Sequence, residues 1–529
     1  MTLRVVVADR LAAGGLELLA QTPGIEVVNC AGKGPEDLER ALERAHALIV
    51  RSETRVTADL LNRAPELRVI ARAGIGVDTI DVTAATRRGI AVMNAPGANT
   101  VSAAEHALGL LLSLVRHIPE AAASMRRGEW DRKKYEGTEL RGKTLGVVGL
   151  GRIGGHVSQI ARAFGMTVVA HDPFLPPQRA TELQVKILPL EQLLATADVV
   201  TLHVALSDQT RHLINAQRLA LMKKTAVLIN TARGELVDEA ALAAAVEAKQ
   251  IAGAAVDVFS QEPLPRESPL RGFDRVILTP HLAASTAEAQ DRVSHEIATA
   301  VRDALLTGDL STAVNVPGIS GDVLRRTAPL LELARRLGRL AGGLSGTDVT
   351  ALEVAYGGKD EEATRPVLIA ALEGLLSAIG AGPVSLVNAT VVAEERGIRL
   401  TRRTGAAEAG FETSLGVRVE AGTRVRVAGA LVGSNHGRVV RIDDYHVDVV
   451  PEGWLLVIKN RDVPGVIGRV GTLLGESGIN IGSWHQARDA GPGQALAAIT
   501  VDQPPVDGVR HRIEQLPDVL EVRLAHFGD

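Results

Sequence analysis

Three glycines set between two apolar runs do most to restrict what this chain can become. Leu145 to Val148 is a short apolar run of the kind a buried parallel strand needs. Gly149, Gly151 and Gly154 follow it as G-x-G-x-x-G, then a helix-like stretch, then a second apolar run from Met166 to Ala170 that leads to Asp172. Gly149 permits the sharp turn, Gly151 lets the backbone approach a pyrophosphate, and Gly154 lets the new helix pack close to the strand. The first amides of that helix, at Arg152 and Ile153, lack intrahelical acceptors and point at an anion. A carboxylate at Asp172 accepts hydrogen bonds from adenine ribose hydroxyls and repels a 2′-phosphate, which favours NAD over NADP. Many isolated glycine fingerprints are ordinary turns. Strand, turn, helix, strand and acid in this order point to a dinucleotide-binding unit.

A chain of 529 residues exceeds a single core, and three or four domains are expected. Aromatic residues are only 2% of the chain, so its cores must be built from Val, Leu, Ile and Ala. The net charge of −4 is spread along the chain, and no basic patch argues for nucleic acid. Cys30, the only cysteine, excludes an intramolecular disulfide and a cysteine metal cluster, and a reducing, cytoplasmic compartment fits. Met1 to Arg10 opens straight into a strand, so no signal peptide is expected. The longest apolar run, Ala107 to Val115, is far shorter than the ~20 residues of a membrane span and reads as a core helix.

Before the glycine turn, apolar strands at Leu3 to Ala8, Ile25 to Val28, Ala47 to Val50 and Leu67 to Ala71 alternate with helical spacing. This predicts a small parallel α/β domain whose ligands sit beyond the carboxyl ends of its strands. Arg51, Ser52 and the loop Arg72-Ala73-Gly74-Ile75-Gly76-Val77-Asp78 stand there as anion binders. The plainer alternative makes Arg51 and Arg72 surface charges. Asn94 to Thr100 reads as a crossover into a long helix at Ser102. After the glycine turn come strands at Val199 to Val204, Ala226 to Asn230, Ala254 to Phe259 and Val276 to Thr279. A helix over 283–306 returns the chain to the first lobe, leaving a cleft between two lobes with NAD on one wall.

Three residues follow strands of the second lobe: Arg233 in Asn-Thr-Ala-Arg-Gly, Glu262 in Asp-Val-Phe-Ser-Gln-Glu-Pro, and His281 in Thr-Pro-His. Oxidation of a 2-hydroxy acid removes a hydride from C2 and a proton from its hydroxyl. A histidine suits the proton, a nearby carboxylate stabilises the imidazolium, and an arginine can hold the substrate carboxylate by two parallel bonds. Singly, Arg233 could cap a loop, Glu262 could be a surface acid and His281 a bonded core residue.

The motifs at 149–154, 230–234, 257–263 and 280–281 together resemble the D-2-hydroxyacid dehydrogenase family, and the C-terminal extension resembles its long-form phosphoglycerate dehydrogenases. The resemblance implies a doubly wound α/β fold with two Rossmann-like lobes, an α+β intervening domain and a βαββαβ ACT domain. The implied divisions are 1–98 with 283–315 for substrate, 99–282 for NAD, 316–452 intervening and 453–529 regulatory. It implies His281 as acid/base, Glu262 as its partner and Arg233 as the substrate-orienting residue. It also implies NAD contacts at Arg152, Ile153, Asp172, Thr231, Ala232, Arg233, Asp257, His281, Leu282, Ala283 and Ala284. Substrate contacts are implied at the 72–76 loop amides, notably Gly74 and Ile75, with Arg51 and Ser52 beside them. Arg132 is implied to reach a neighbouring subunit's substrate phosphate, and Trp130 to pack against that neighbour in a dimer or tetramer. Glu53 stands where some relatives carry another arginine, and Ile75 where many carry a polar residue. The substrate implied is 3-phospho-D-glycerate, the reaction being the first committed step toward L-serine. A glyoxylate/hydroxypyruvate reductase is the alternative enzyme. A co-repressor of the same fold is the alternative of another class, although such proteins lack an ACT-like tail.

Beyond Asn315-Val316-Pro317 the pattern changes. Helices at Leu324 to Leu340 and Thr364 to Ile379 flank a strand at Ala351 to Tyr356. Residues 387–398 resemble the intervening domain of the long forms, where Arg438 and His446 are conceivable effector ligands; a structural spacer is the alternative. Residues 454–529 read strand, helix, strand, strand, helix, strand, with Pro464 suiting a helix start and Gly465 and Gly468 leaving room at its N-terminus. The ACT resemblance implicates Asp462 and Asn480 in binding L-serine, and a dimerisation module without ligand is the alternative.

Overall fold

The computed structural model of the chain describes residues 2–175, 177–316, 321–405, 408, 410–433, 436–488 and 493–528. Its first sheet is parallel, with β1 (Leu3–Val7), β2 (Ile25–Asn29), β3 (Ala47–Val50), β4 (Val69–Arg72) and β5 (Ala91–Asn94) in the order β2-β1-β3-β4-β5. β5 joins this sheet from a stretch in which the sequence reading named no strand. It is wholly buried, so its Ala-Val-Met-Asn carries no alternation to reveal it.

The second sheet is also parallel. It contains β6 (Thr144–Val148), β7 (Thr167–His171), β8 (Lys186–Ile187), β9 (Val199–Leu202), β10 (Val227–Asn230), β11 (Gly253–Val256) and β12 (Val276–Leu278). Their order is β12-β11-β10-β9-β6-β7-β8. The order reverses between β9 and β6, and that switch point at the carboxyl ends is where open sheets of this kind bind ligands.

The return helix is Ala287–Thr307, not 283–306: Thr286 caps it by accepting the Ala289 amide. Residues 283–285 stay outside it because the Asp257 carboxylate takes the amides of Leu282 and Ala283. Val293, Ile297 and Val301 of this helix lie in the core of the first sheet. The Thr100–Val115 helix packs on the second. Ser102 Oγ and Thr286 Oγ1, 2.8 Å apart, tie the two crossovers together.

The third sheet is mixed, with β13 (Val349–Gly357), β14 (Arg399–Thr404), β15 (Ser414–Ala421), β16 (Thr423–Val432), β17 (His436–Ile442) and β18 (Tyr445–Val449) in the order β14-β13-β15-β16-β17-β18. Helices Gly321–Ser345 and Thr364–Ala378 cover one of its faces. It meets the first lobe where Ser385 Oγ donates to the Gly89 carbonyl at 3.0 Å and Asn388 Nδ2 to the Arg87 carbonyl at 3.3 Å.

The fourth sheet is antiparallel, with β19 (Trp454–Arg461), β20 (Ile481–Arg488), β21 (Gln494–Val501) and β22 (Val519–His526) in the order β20-β21-β19-β22. Leu456 and Ile458 face the two helices of this unit. Leu455 and Val457 face the other way, into the core of the Gly321–Ser345 helix. Both faces of the sheet are therefore buried. Among the described residues no helix is long and apolar enough to cross a membrane, and no group of three or more His, Cys, Asp or Glu is placed to hold a metal ion.

Candidate active site

The glycine turn is shaped by contact. Gly149 has φ +91, and a Cβ there would lie 2.5 Å from the His203 carbonyl oxygen. A Cβ on Gly154 would lie 2.0 Å from the Gly149 oxygen, so helix and strand close only without a side chain. Gly151 is different: a Cβ there meets nothing within 4 Å. The open space lies at the N-cap of helix Arg152–Ala163, whose first amides, including those of Arg152 and Ile153, have no intrahelical acceptors. Asp172 Oδ2 accepts the Leu150 amide at 2.9 Å and Oδ1 the Phe174 amide at 3.0 Å. Each oxygen retains a lone pair for a ribose hydroxyl. Thr231 Oγ1 is buried without a partner among the described residues. An open anion cradle, an acid beyond it and an orphaned hydroxyl fit a dinucleotide.

β10, β11 and β12 are neighbours, so the segments following them converge. His281 Nδ1 lies 2.9 Å from Glu262 Oε2, and the ring's Nε2 has no partner among the described residues. Burial alone would raise the Glu262 carboxyl, but hydrogen bonds from His281 and the Phe259 amide reverse this and hold it below the usual carboxylate range. A depressed value means the acid stays ionised through neutrality, and its contribution is lost only as pH falls through that value.

Arg233 crosses between the lobes. Its Nε donates to Asp78 Oδ2 at 2.8 Å and its Nη1 to the Ala232 carbonyl at 2.6 Å. Nη2 is without an acceptor among the described residues and Nη1 keeps a second hydrogen, so an end-on grip on a carboxylate is open, while a side-on grip through Nε requires Asp78 to yield. Gly76 makes room for this arrangement, since a Cβ there would stand 1.7 Å from Arg233 Nη2.

The 72–78 loop is held from below. Asn94 Nδ2 donates to the Ile75 carbonyl at 2.6 Å, and the Ala95 amide to the Gly74 carbonyl at 2.9 Å. The Ile75 and Gly76 amides have no partner among the described residues. Arg72 is no surface charge: burial, then the charges of Arg233 and Arg51, push its guanidinium down to about 10. Its Nε is buried without a partner among the described residues. Arg51 donates through its amide to Asp9 and through Nη1 to the Arg10 carbonyl. Ser52 is exposed.

Leu282 is 40% exposed while Ala283 is buried, and the Ala284 carbonyl accepts Gln290 Nε2 at 2.8 Å. Arg132 is exposed without a hydrogen bond or ion pair among the described residues, and Trp130 is 78% exposed. In the fourth sheet, Asp462 pairs with Arg488 at 3.0 Å and Asn480 Nδ2 donates to Asp502 at 2.8 Å. Arg438 faces Asp448 at 3.5 Å, and His446 Nε2 lies 3.1 Å from Arg441 Nη2.

Two histidines escaped the sequence reading. Burial pushes His203, beside the glycine turn, down to about 4. His106 reaches Asp257 from the Thr100–Val115 helix at 3.1 Å. The only signal for His106 was a titratable residue inside an apolar helix.

Comparison with known proteins agrees with this geometry. Residues 108–283 match the family described as D-isomer specific 2-hydroxyacid dehydrogenase, NAD binding domain. Residues 326–443 match the D-3-phosphoglycerate dehydrogenase intervening domain, and 454–518 the ACT domain. The chain is 41% identical to a D-3-phosphoglycerate dehydrogenase of Synechocystis sp., over 98% of this chain and 93% of that one. It is 39% identical to one of Methanocaldococcus jannaschii, over 99% and 100%. A solved D-lactate dehydrogenase from Aquifex aeolicus, complexed with NAD and lactic acid, is 29% identical with a TM-score of 0.52 and covers 58% of this chain and 97% of its own. With three family matches in order and relatives aligned from end to end, the chain belongs to the D-3-phosphoglycerate dehydrogenases of the NAD-dependent D-isomer specific 2-hydroxyacid dehydrogenase family.

Proposed function

We propose that the chain oxidises 3-phospho-D-glycerate to 3-phosphohydroxypyruvate with NAD, the first committed step of L-serine formation, under feedback from L-serine. The observation that carries this reading is the His281–Glu262 couple at 2.9 Å, in a site that also gathers Arg51, Arg72 and Arg233 around one loop. Three guanidiniums so close suit a substrate with both a carboxylate and a phosphate. In this reading His281 Nε2 takes the C2 hydroxyl proton, and Glu262 stabilises the imidazolium that results. Arg233 and the Ile75 and Gly76 amides hold the carboxylate. NAD, when bound, accepts the hydride from C2. In reverse, His281 returns its proton to the carbonyl oxygen. The remaining NAD contacts we assign to Gly149, Gly151, Arg152, Ile153, Gly154, Asp172, Thr231, Ala232 and residues 282–284; Asp257 has no exposed surface to offer the cofactor and holds residues 282 and 283 in place instead.

A substrate panel with NAD and NADP tests this. Turnover of phosphoglycerate with NAD, and little with NADP, is expected. Good turnover of glyoxylate or hydroxypyruvate without phosphoglycerate oxidation would replace the substrate assignment.

We assign Asp462 and Asn480 to the effector. Asp462, paired with Arg488, stands beside the N-terminus of helix Val466–Glu476, where Gly468 leaves space; Asn480, bonded to Asp502, follows that helix at the opposite end of the sheet, so the two would meet one effector only between two copies of the chain. Millimolar L-serine is expected to lower activity, and Asn480→Ala to remove the response. A flat serine titration of the parent enzyme would refute the feedback reading. The exposed Val101, Ile118, Met125 and Trp130 favour a dimer or tetramer, with Arg132 offered across the interface to a neighbour's phosphate. The chain is assigned to the cytoplasm.

A further inference from the structure

Asp257 has no solvent exposure, and a buried carboxylate is tolerated only where it is neutralised and hydrogen-bonded. Its Oδ1 accepts the Thr279 hydroxyl at 2.6 Å and the Leu282 amide at 2.8 Å, and lies 3.1 Å from His106 Nε2. Its Oδ2 accepts the Ala283 amide at 2.9 Å. Its main-chain carbonyl takes the His281 amide at 2.8 Å. Asp257 therefore grips the backbone at His281 and at the two residues after it. That grip has a reason. His281 sits at φ +54, a left-handed conformation that a non-glycine residue keeps only when its surroundings over-determine it.

An ionised carboxylate only accepts hydrogen bonds, so His106 Nε2 must carry the hydrogen. Among the described residues His106 is the only titratable side chain bonded to Asp257. Glu262, after β11, lies within its field, and His281, after β12, is joined to it through the main-chain amide. His106 stands on a helix that begins at the crossover between the lobes, where Ser102 meets Thr286.

We propose that His106 is a positioning residue for proton transfer: by holding the Asp257 carboxylate it fixes the backbone of His281 where the imidazole meets Glu262. This rests on His281 being the acid/base. Burial alone would raise the Asp257 carboxyl, and the bonds from His106, Thr279 and Leu282 reverse that. Without His106 the balance moves toward the protonated acid, which gives up an acceptor for the Leu282 and Ala283 amides.

The test is kcat against pH in both reaction directions. Oxidation needs neutral imidazole and reduction needs imidazolium, so the parent enzyme should lose oxidation in acid and reduction in alkali. Asp257 must be ionised in both. His106→Leu is expected to lose about 10²-fold in kcat in both directions, and to gain an acid limb in reduction that the parent lacks. His106→Gln, whose amide can donate in place of Nε2, should recover most of the loss and remove that limb. Should His106→Leu not fold, His106→Asn, too short to reach Oδ1, replaces it. Opposite limbs in the parent with no new acid limb in the variant would overturn this inference alone. Equal losses in the Leu and Gln variants that track a lowered Tm would reduce His106 to a packing role and overturn it too. If the parent shows no opposite limbs, the reading of His281 fails and this inference with it.

Discussion

Replacing His281 with asparagine should lower kcat for phosphoglycerate oxidation by about 10²–10⁴-fold, the range that a positioned acid/base supplies. Asparagine is the informative choice because the residue sits at φ +54 and asparagine tolerates that region far better than most side chains. The backbone then stays in place and the Asp257 bonds are kept. NADH affinity, followed by fluorescence titration, should therefore change little. A loss smaller than tenfold, or an equal loss of cofactor binding, would show that the imidazole does not carry the proton. Glu262→Gln should cost less, since it keeps a bonding partner for Nδ1 and removes only the charge. Its mark should be a shift of the pH dependence.

The second large effect is expected at the glycine turn, where two substitutions of the same size should part company. Gly154→Ala puts a methyl 2.0 Å from the Gly149 carbonyl oxygen. Backbone must move, at a cost of about 1–3 kcal/mol for overpacking, and the turn moves with it. Both Tm and NAD affinity should fall. Gly151→Ala adds its methyl to open space at a residue whose φ of −71 any side chain accepts. Its Tm should hold while NAD affinity falls, because that space is where a pyrophosphate would lie. Thermal melts beside NADH titrations decide the matter. Unaltered NAD binding in Gly151→Ala would show that the space is not used.

How much of this was legible follows from how local each feature is. The ends of β10, β11 and β12 could be read because an apolar run stops at a chemically distinctive residue, and adjacent parallel strands then bring those residues together. Asp172 was legible for the same reason. The long sheet of 349–449 was read mainly by family likeness. Yet β15 alternates buried Val417 and Val419 with partly exposed Arg418 and Glu420, a period-two signal that was there to be used. His106 and Asp257 are 151 residues apart, and no spacing rule joins them. The Arg233–Asp78 bridge spans 155 residues and two lobes. Sequence placed both partners at strand ends, but only packing shows that they occupy each other. Arg132 lies at the far limit: the role proposed for it is across a subunit boundary and would leave no mark on a single folded chain.

The sheet of β19 to β22 carries one further consequence. Leu455, Val457, Leu496 and Ala498 belong to the same core as the Gly321–Ser345 helix, and Leu456, Ile458, Ala497 and Ile499 to the core beneath the sheet's own helices. Such a layer cannot be lifted out as a freestanding cassette, because cutting the chain before residue 454 would strip one wall from the neighbouring core and leave greasy surface on both fragments. The sensor and the domain before it should melt as a single cooperative block. That block rests on the first lobe through the Ser385 and Asn388 foothold on the Gly89 turn.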